Sequence, residues 1–258
     1  MASEATDSET TAKPETRGLP LFYKEPRALS AERHGGKSLK PRRDYAFARD
    51  TNSVPLNAEE FKVAARFYPI VFTTTEPAVP VAVLGVKEAQ NLFVDEAGAW
   101  TKATYIPAYV YRHPFIFSAG RNERQYVLCI DESSDLLTEG EGQPLFVDGE
   151  PSELVRKALD YCSAFQRQNE LTRAFAAEIE KQGLLSEKEV NYTAAGGRRF
   201  NLRGLRVVDE RKFNELPDDV FLEWRRRGWL HLVYCHLISI GNLTTLAELA
   251  SRRDREET

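Results

Sequence analysis

The chain has 258 residues, 42% hydrophobic and 29% charged, proportions at which a globular protein buries a substantial core. Its 14 Phe, 10 Tyr and 3 Trp exclude a wholly disordered chain, and a formal net charge of -4 argues against a dominant nucleic-acid footprint. Three widely spaced cysteines, Cys129, Cys162 and Cys235, sit in apolar runs with no CxxC pair. That pattern argues against a disulfide framework or a zinc cluster and fits buried thiols in a reducing compartment.

Residues 1–43 are rich in Ser, Thr, Glu, Lys, Pro and Gly without apolar periodicity, which predicts a disordered N-terminal arm ahead of a domain over 44–258. The arm's basic end, His34, Lys37, Lys40, Arg42 and Arg43, reads as a solvated tail able to touch an acidic partner. The N-terminus carries no apolar segment of the kind that engages a secretion channel. The most apolar stretch, 228–249, is interrupted by His231, His236, Asn242 and Glu248, so no membrane span is expected and the cytoplasm is the expected compartment.

Order is expected from about Tyr45. Asn57 and Glu60 form a capping-box pair that opens a helix over 58–66, and Pro69 stops it. Apolar, β-branched runs at 70–75, 81–86, 105–112, 115–117 and 126–131, punctuated by Pro and Gly, predict short strands of a mainly antiparallel sheet. A hairpin is expected around 145–149. From Ser152, a plausible N-cap, Leu154, Ala158, Cys162, Phe165, Thr172, Phe175 and Ile179 trace one helix face as far as Gly183. The polar run 166–169 predicts a break in it. A strand at 199–208, a helix at 217–227 ended by Gly228, and helix over 229–250 divided at Gly241-Asn242 complete the chain. Strands mostly first and helices mostly last define an α+β fold with the helices on the sheet.

Phosphate-binding, dinucleotide, zinc-protease, serine-hydrolase and kinase signatures are all absent, so neither cofactor nor metal is expected. His231 and His236, five residues apart, stand about 140° apart around a helix and cannot share one metal from it. Each is expected to tie a helix to neighbouring backbone. Arg112 and His113 precede one strand, and Asp131 and Glu132 end another. If those strands pair, Arg112 and the two carboxylates converge at one sheet end, as a polar ligand site or as ion pairs stitching strand ends. Trp100, Tyr105 and Tyr109 suit either an aromatic groove or core packing. The arginines around 198–206 and 225–227 are interleaved with acids, which makes nucleic-acid binding unlikely.

Several segments in order, among them NSVPLNAEEFKVAARFYPIVF, VAVLGVKEAQNLFVDEAGAWTKATYIPAYVYRHPF, YVLCIDESSDLL and GWLHLVYCHLISIGNLTTL, resemble the SapC family from about Asp44 to Ala250. The resemblance implies a bacterial protein associated with surface-layer protein secretion. Its relatives are often encoded beside outer-membrane receptors and flavin-dependent halogenase-like proteins. It carries over no catalytic or ligand residue. The expectation is a non-enzymatic accessory or adaptor protein of surface-layer or outer-membrane-linked export or uptake, binding a protein or peptide partner. Its contact residues would be Trp100, Tyr109, Arg112, His113, Asp131, Glu132 and His236. The alternative is an enzyme or cofactor-binding component working with a halogenase-like flavoprotein through Arg112, His113, Asp131, Glu132 and His236. A weaker third reading is a nucleic-acid-associated regulator using the basic arm.

Overall fold

A computed structural model describes residues 18–119, 126–193 and 199–256. The first half runs β1 (Pro26–Ala28), α1 (Ala31–His34), β2 (Lys37–Leu39), β3 (Ser53–Pro55), α2 (Phe61–Ala64), β4 (Ile70–Thr73), β5 (Pro80–Val83), α3 (Ala108–Tyr111), β6 (Phe115–Ala119) and β7 (Tyr126–Asp131). Then come β8 (Leu137–Glu139), β9 (Gln143–Pro144), β10 (Phe146–Val147), β11 (Glu150–Pro151) and α4 (Glu153–Lys181). The chain closes with β12 (Leu185–Thr193), β13 (Arg199–Val208), α5 (Glu210–Asn214), α6 (Asp218–Arg227), α7 (Leu230–Ser239) and α8 (Asn242–Glu256).

Strands pair antiparallel in four small sheets ordered β1-β7-β6, β8-β2-β9, β10-β11 and β12-β13-β4-β5-β3. With long helices in the C-terminal half, the fold is α+β. β4 and β5 are buried on both faces, which is why IVFT and PVAV read as continuous apolar runs rather than alternations. Asp148 and Gly149, both at positive φ, turn the two-residue hairpin between β10 and β11.

There are two principal cores. The larger packs Ile70, Val71, Phe72 and Ala82 of the five-stranded sheet with Phe175 and Ile179 of α4, Trp224 of α6, Val233 of α7 and Leu246 of α8. The smaller packs Leu39, Phe115, Leu128, Ile130, Leu145 and Phe146 with Val155 and Cys162 of α4. One helix therefore serves both. It starts where Ser152 Oγ accepts from Val155 N at 3.4 Å, and it runs unbroken for 29 residues. The expected break at 166–169 does not occur, because that turn faces polar partners. Thr172 Oγ1 accepts from Ala58 N at 2.8 Å and donates to Gln168 O at 2.7 Å, while Asn57 Nδ2 approaches Phe165 O at 3.5 Å.

Two other expectations are corrected. The segment 105–112 is not a strand. Pro107 sets the entry and Glu60 accepts from Ala108 N at 2.7 Å, so the free first-turn amide of α3 is satisfied and the chain coils for one turn. The strand β12 was not expected, because LSEKEVNYT lacks apolar alternation; it forms by pairing along β13. The helix beginning at Ala58 is shorter than its pattern suggests, a 3₁₀ turn leading into α2.

The boundary at residue 43 also moves. Residues 1–17 lie outside the described residues, but 18–43 are integrated into the fold rather than forming an arm. β1 pairs with β7, β2 pairs with β8 and β9, and Tyr23 and His34 are buried. Tyr23 donates its hydroxyl to Phe115 O at 2.7 Å, and Asp131 accepts from Lys24 N and Glu25 N at 2.9 and 2.8 Å. Backbone pairing with distant strands, invisible to local composition, orders this polar stretch. A chain beginning at Asp44 is therefore expected to lose stability by several kcal/mol, through lost burial and unpaired strands. Chemical denaturation tests this, and a midpoint equal to that of the full chain would show that β1 and β2 contribute nothing.

Candidate functional site

A concavity of about 710 Å³ opens between the segment following β2, the corner joining α3 to β6, and the first turns of α4. Glu60 places that corner. Its buried carboxylate accepts from Asn57 N at 2.8 Å, Ala108 N at 2.7 Å and Tyr105 OH at 2.9 Å. Burial raises its pKa against these three donors. With α3 so anchored, Tyr111, Arg112 and His113 come off its end into the cavity wall.

Arg42 and Arg112 bring the charge. Arg42 stacks over Phe47 and Tyr45, 4.8 and 5.4 Å from the ring centres, and one Nη donates to His113 O. Arg112 lies over Tyr109 and Phe165 at 4.2 and 4.3 Å, with Tyr23 at 5.8 Å, and its buried Nε has no hydrogen-bond partner. Lys40 and Lys157 also line the cavity, but they pair with Glu141 and Glu153 at 2.7 and 2.6 Å. Leu39, Pro114, Phe115, Leu136, Leu154 and Ala158 supply apolar wall, Tyr45, Tyr111 and Tyr161 aromatic wall; no Asp or Glu lines the cavity.

The residues anticipated from sequence separate. Arg112 and His113 are at the cavity; Trp100, Tyr109, Asp131, Glu132 and His236 are not among its walls. Trp100 is buried in the main core, donating Nε1 to Tyr68 OH at 3.2 Å. Tyr109 is also buried, and its hydroxyl donates to Leu21 O at 3.2 Å. Trp100 and Tyr109 thus pack in the interior, while Tyr105 is half-buried and lines a smaller concavity of about 240 Å³. Asp131 and His113 do meet, with Oδ2 and Nε2 3.9 Å apart. Burial disfavours the Asp131 carboxylate, but donors from Lys24, Glu25 and Ser133 outweigh it and hold its pKa below the usual range. Glu132 turns elsewhere, to Arg33 at 2.7 Å and His34 at 3.1 Å. The hydrogen bond from Arg33 foremost depresses its pKa to about 2. The four polar residues therefore do not form one constellation.

His113 stacks on Phe47 at 4.2 Å, and burial first, then Arg42, lowers its pKa to about 4 against the pull of Asp131. Burial raises the Cys162 thiol to about 11. One is a weak base and the other a protonated thiol at neutral pH, so neither of these two is an activated nucleophile. Among the described residues, no group of three His, Cys, Asp or Glu is placed to hold a metal ion. Arg42, Tyr45, Lys157 and Tyr161 were missed as wall residues. Arg42 lay in the presumed arm, and only the fold brings it against α3.

His236 does tie helix to sheet. Its Nδ1–H donates to Ile70 O at 2.8 Å, and Nε2 accepts from Val208 N at 3.0 Å, so the ring is neutral. Ser239 completes the junction, its Oγ accepting from Ile70 N at 2.9 Å and donating to His236 O at 2.6 Å.

These features define an α+β protein with a basic, aromatic-walled cavity. A model of the SapC family matches residues 29–246, and the chain belongs to that family. No curated protein and no solved structure matches it.

Burial depresses His236 to about 4, as it does His113, below the unfolded value near 6.5. The unfolded chain therefore takes up these protons first. The stabilisation is complete above about pH 6.5 and is lost as pH falls through about 4. The urea midpoint should drop measurably from pH 7 to pH 5, and an unchanged midpoint would contradict the neutral assignments. His236→Ala, which strands Val208 N–H and Ile70 C=O, should cost roughly 2 to 5 kcal/mol at pH 7.

Proposed function

We propose that this SapC-family protein is a non-enzymatic accessory component of bacterial surface-layer or outer-membrane-linked export or uptake, acting by binding a protein or peptide partner. The observation that carries the reading is the division of labour among polar residues. Asp131, Glu132 and His236 are occupied in holding the fold, whereas the large cavity presents cations, aromatic rings and apolar wall with no poised nucleophile. Exposed apolar side chains on α6 and α7, Leu222, Tyr234 and Ile238, offer further contact surface.

A cytoplasmic protein without a membrane span fits this role. Residues 230–255 are long and apolar enough to cross a membrane by length and composition. The chain divides there into α7 and α8, whose Leu232, Val233, Leu246, Ala247 and Ala250 pack in the main core. That packing supports reading the segment as core helix.

The second reading, a small-molecule or cofactor-binding component working with a halogenase-like flavoprotein, draws on cavity size. About 710 Å³ falls within the range of small-ligand pockets.

The two separate in one experiment. Tagged full-length protein and an Ala158→Trp variant, which fills the cavity from α4, are used for affinity capture from the native host. A protein partner held by the natural chain and weakened at least about tenfold by the variant, with melting unchanged, is the expected result. Recovery of a bound small molecule and its turnover, abolished by Arg112→Ala in a folded protein, would replace the adaptor reading with the enzymatic one.

A further inference from the structure

The cavity is unusual in how its charge is balanced. The chain has 39 Asp and Glu residues, and other half-buried cations find partners. Arg206 meets Glu180 at 2.9 Å, while Arg253 donates to Asn91 O and Val94 O at 3.0 and 3.1 Å. The rim lysines Lys40 and Lys157 have their own glutamates. Among the described residues, no carboxylate lies within ion-pair reach of Arg42 or Arg112.

The neighbouring side chains do not compensate them either. Burial raises the phenol pKa values of Tyr23 and Tyr109 despite the nearby guanidinium of Arg112, so both rings stay neutral. Cys162 is held as a thiol, and His113 is neutral at pH 7. Two guanidiniums thus face a mostly apolar cavity from aromatic beds, one with its Nε orphaned; among the described residues neither forms an ion pair with a carboxylate, and Asp135 and Asp44 act on Arg42 only from beyond ion-pair distance. An arrangement of this kind leaves stabilisation unrealised until an anion arrives.

We infer that the cavity binds an organic carboxylate on an apolar body, its acid group held by Arg42 and Arg112 and its body against the Leu136, Leu154 and Ala158 wall. This rests on the binding reading above and names the chemistry recognised. The planar edge of a guanidinium matches the two oxygens of a carboxylate. A phosphate dianion, with three acceptor oxygens and a heavier desolvation cost, calls for more donors than these mostly apolar walls provide. Both a free organic acid and the C-terminal carboxylate of a peptide carry the required chemistry.

Calorimetric titration of the purified full-length protein at pH 7.5 tests the inference with octanoate, octanol, octylamine and octyl phosphate. Octanoate is expected to bind at one site at least about tenfold more tightly than octanol or octylamine. Arg42→Gln and Arg112→Gln should each weaken it about ten- to hundredfold. Acetyl-leucyl-phenylalanine with a free C terminus, compared with its amide, separates the two sources. A peptide acid that outbinds octanoate places the carboxylate on a peptide, and the reverse places it on a free acid.

Octanol binding as tightly as octanoate, octyl phosphate binding more tightly, or undiminished affinity in both Gln variants would each overturn the inference. The ligand series on the unaltered chain decides the matter even if Arg112→Gln does not fold. Failure of every acid alongside partner capture that still depends on Ala158 would remove the carboxylate assignment alone. Octanoate bound but chemically converted would instead remove the binding reading and keep the site.

Discussion

A single helix that must satisfy two cores is the constraint on which the rest of this structure depends. α4 extends about 43 Å at the ordinary helical rise. Val155 and Cys162 lie in the smaller core, and Phe175, Ala176 and Ile179 in the larger. Between them the helix meets the turn around Asn57, where Thr172 and the backbone of Phe165 are positioned against polar groups. That turn is the same one whose Glu60 carboxylate fixes α3. The position of the cavity follows, since α4 forms one wall and the residue pair leaving α3 forms another.

The site and the scaffold make opposite uses of charge. Two buried scaffold carboxylates are richly paired: Asp131 gathers four donor contacts from Lys24, Glu25 and Ser133, and Glu60 gathers three. Their burial is tolerable because every lone pair that matters is engaged. Arg42 and Arg112 instead rest on ring faces, which attract a cation without neutralising it. Rings hold the guanidiniums in place, and one Arg42 Nη is further fixed on His113 O, so the position of the charge is established before any ligand is present.

Much of the architecture was legible because it follows local rules. Ser152 as a cap, the positive-φ Gly228 ending α6, the division of the last helix at Gly241, and the short strands β4, β6 and β7 all appear where period and turn chemistry place them. His236 was correctly read as a tie between helix and backbone. What escaped depends on partners far away in sequence. Polar residues 18–43 become strands only because β7, β8 and β9 are present to pair with them, and β12 exists only beside β13. Of the residues expected at the site, Arg112 and His113 line the cavity, Asp131 meets His113 from outside its walls, and Glu132 turns to Arg33 and His34. Asp131 ends β7 and Glu132 opens the turn after it, and the two serve different clusters. Arg42 was legible only as one of several basic residues in a presumed tail, and its place against α3 comes from the fold.

The order of the five-stranded sheet bears on how the chain comes to be folded as it is made. β4 lies between β5, a near neighbour in sequence, and β13, which follows it by more than a hundred residues. The helices that cover this sheet, α7 and α8, come later still, and the His236 and Ser239 ties reach back to Ile70. Until the final quarter of the chain has left the ribosome, one edge of β4 and a wide apolar face are uncovered. Contacts of such long sequence separation are slow to close and leave sticky intermediates. Closure of this sheet therefore comes late in synthesis, a consequence written into the strand order rather than into any one residue.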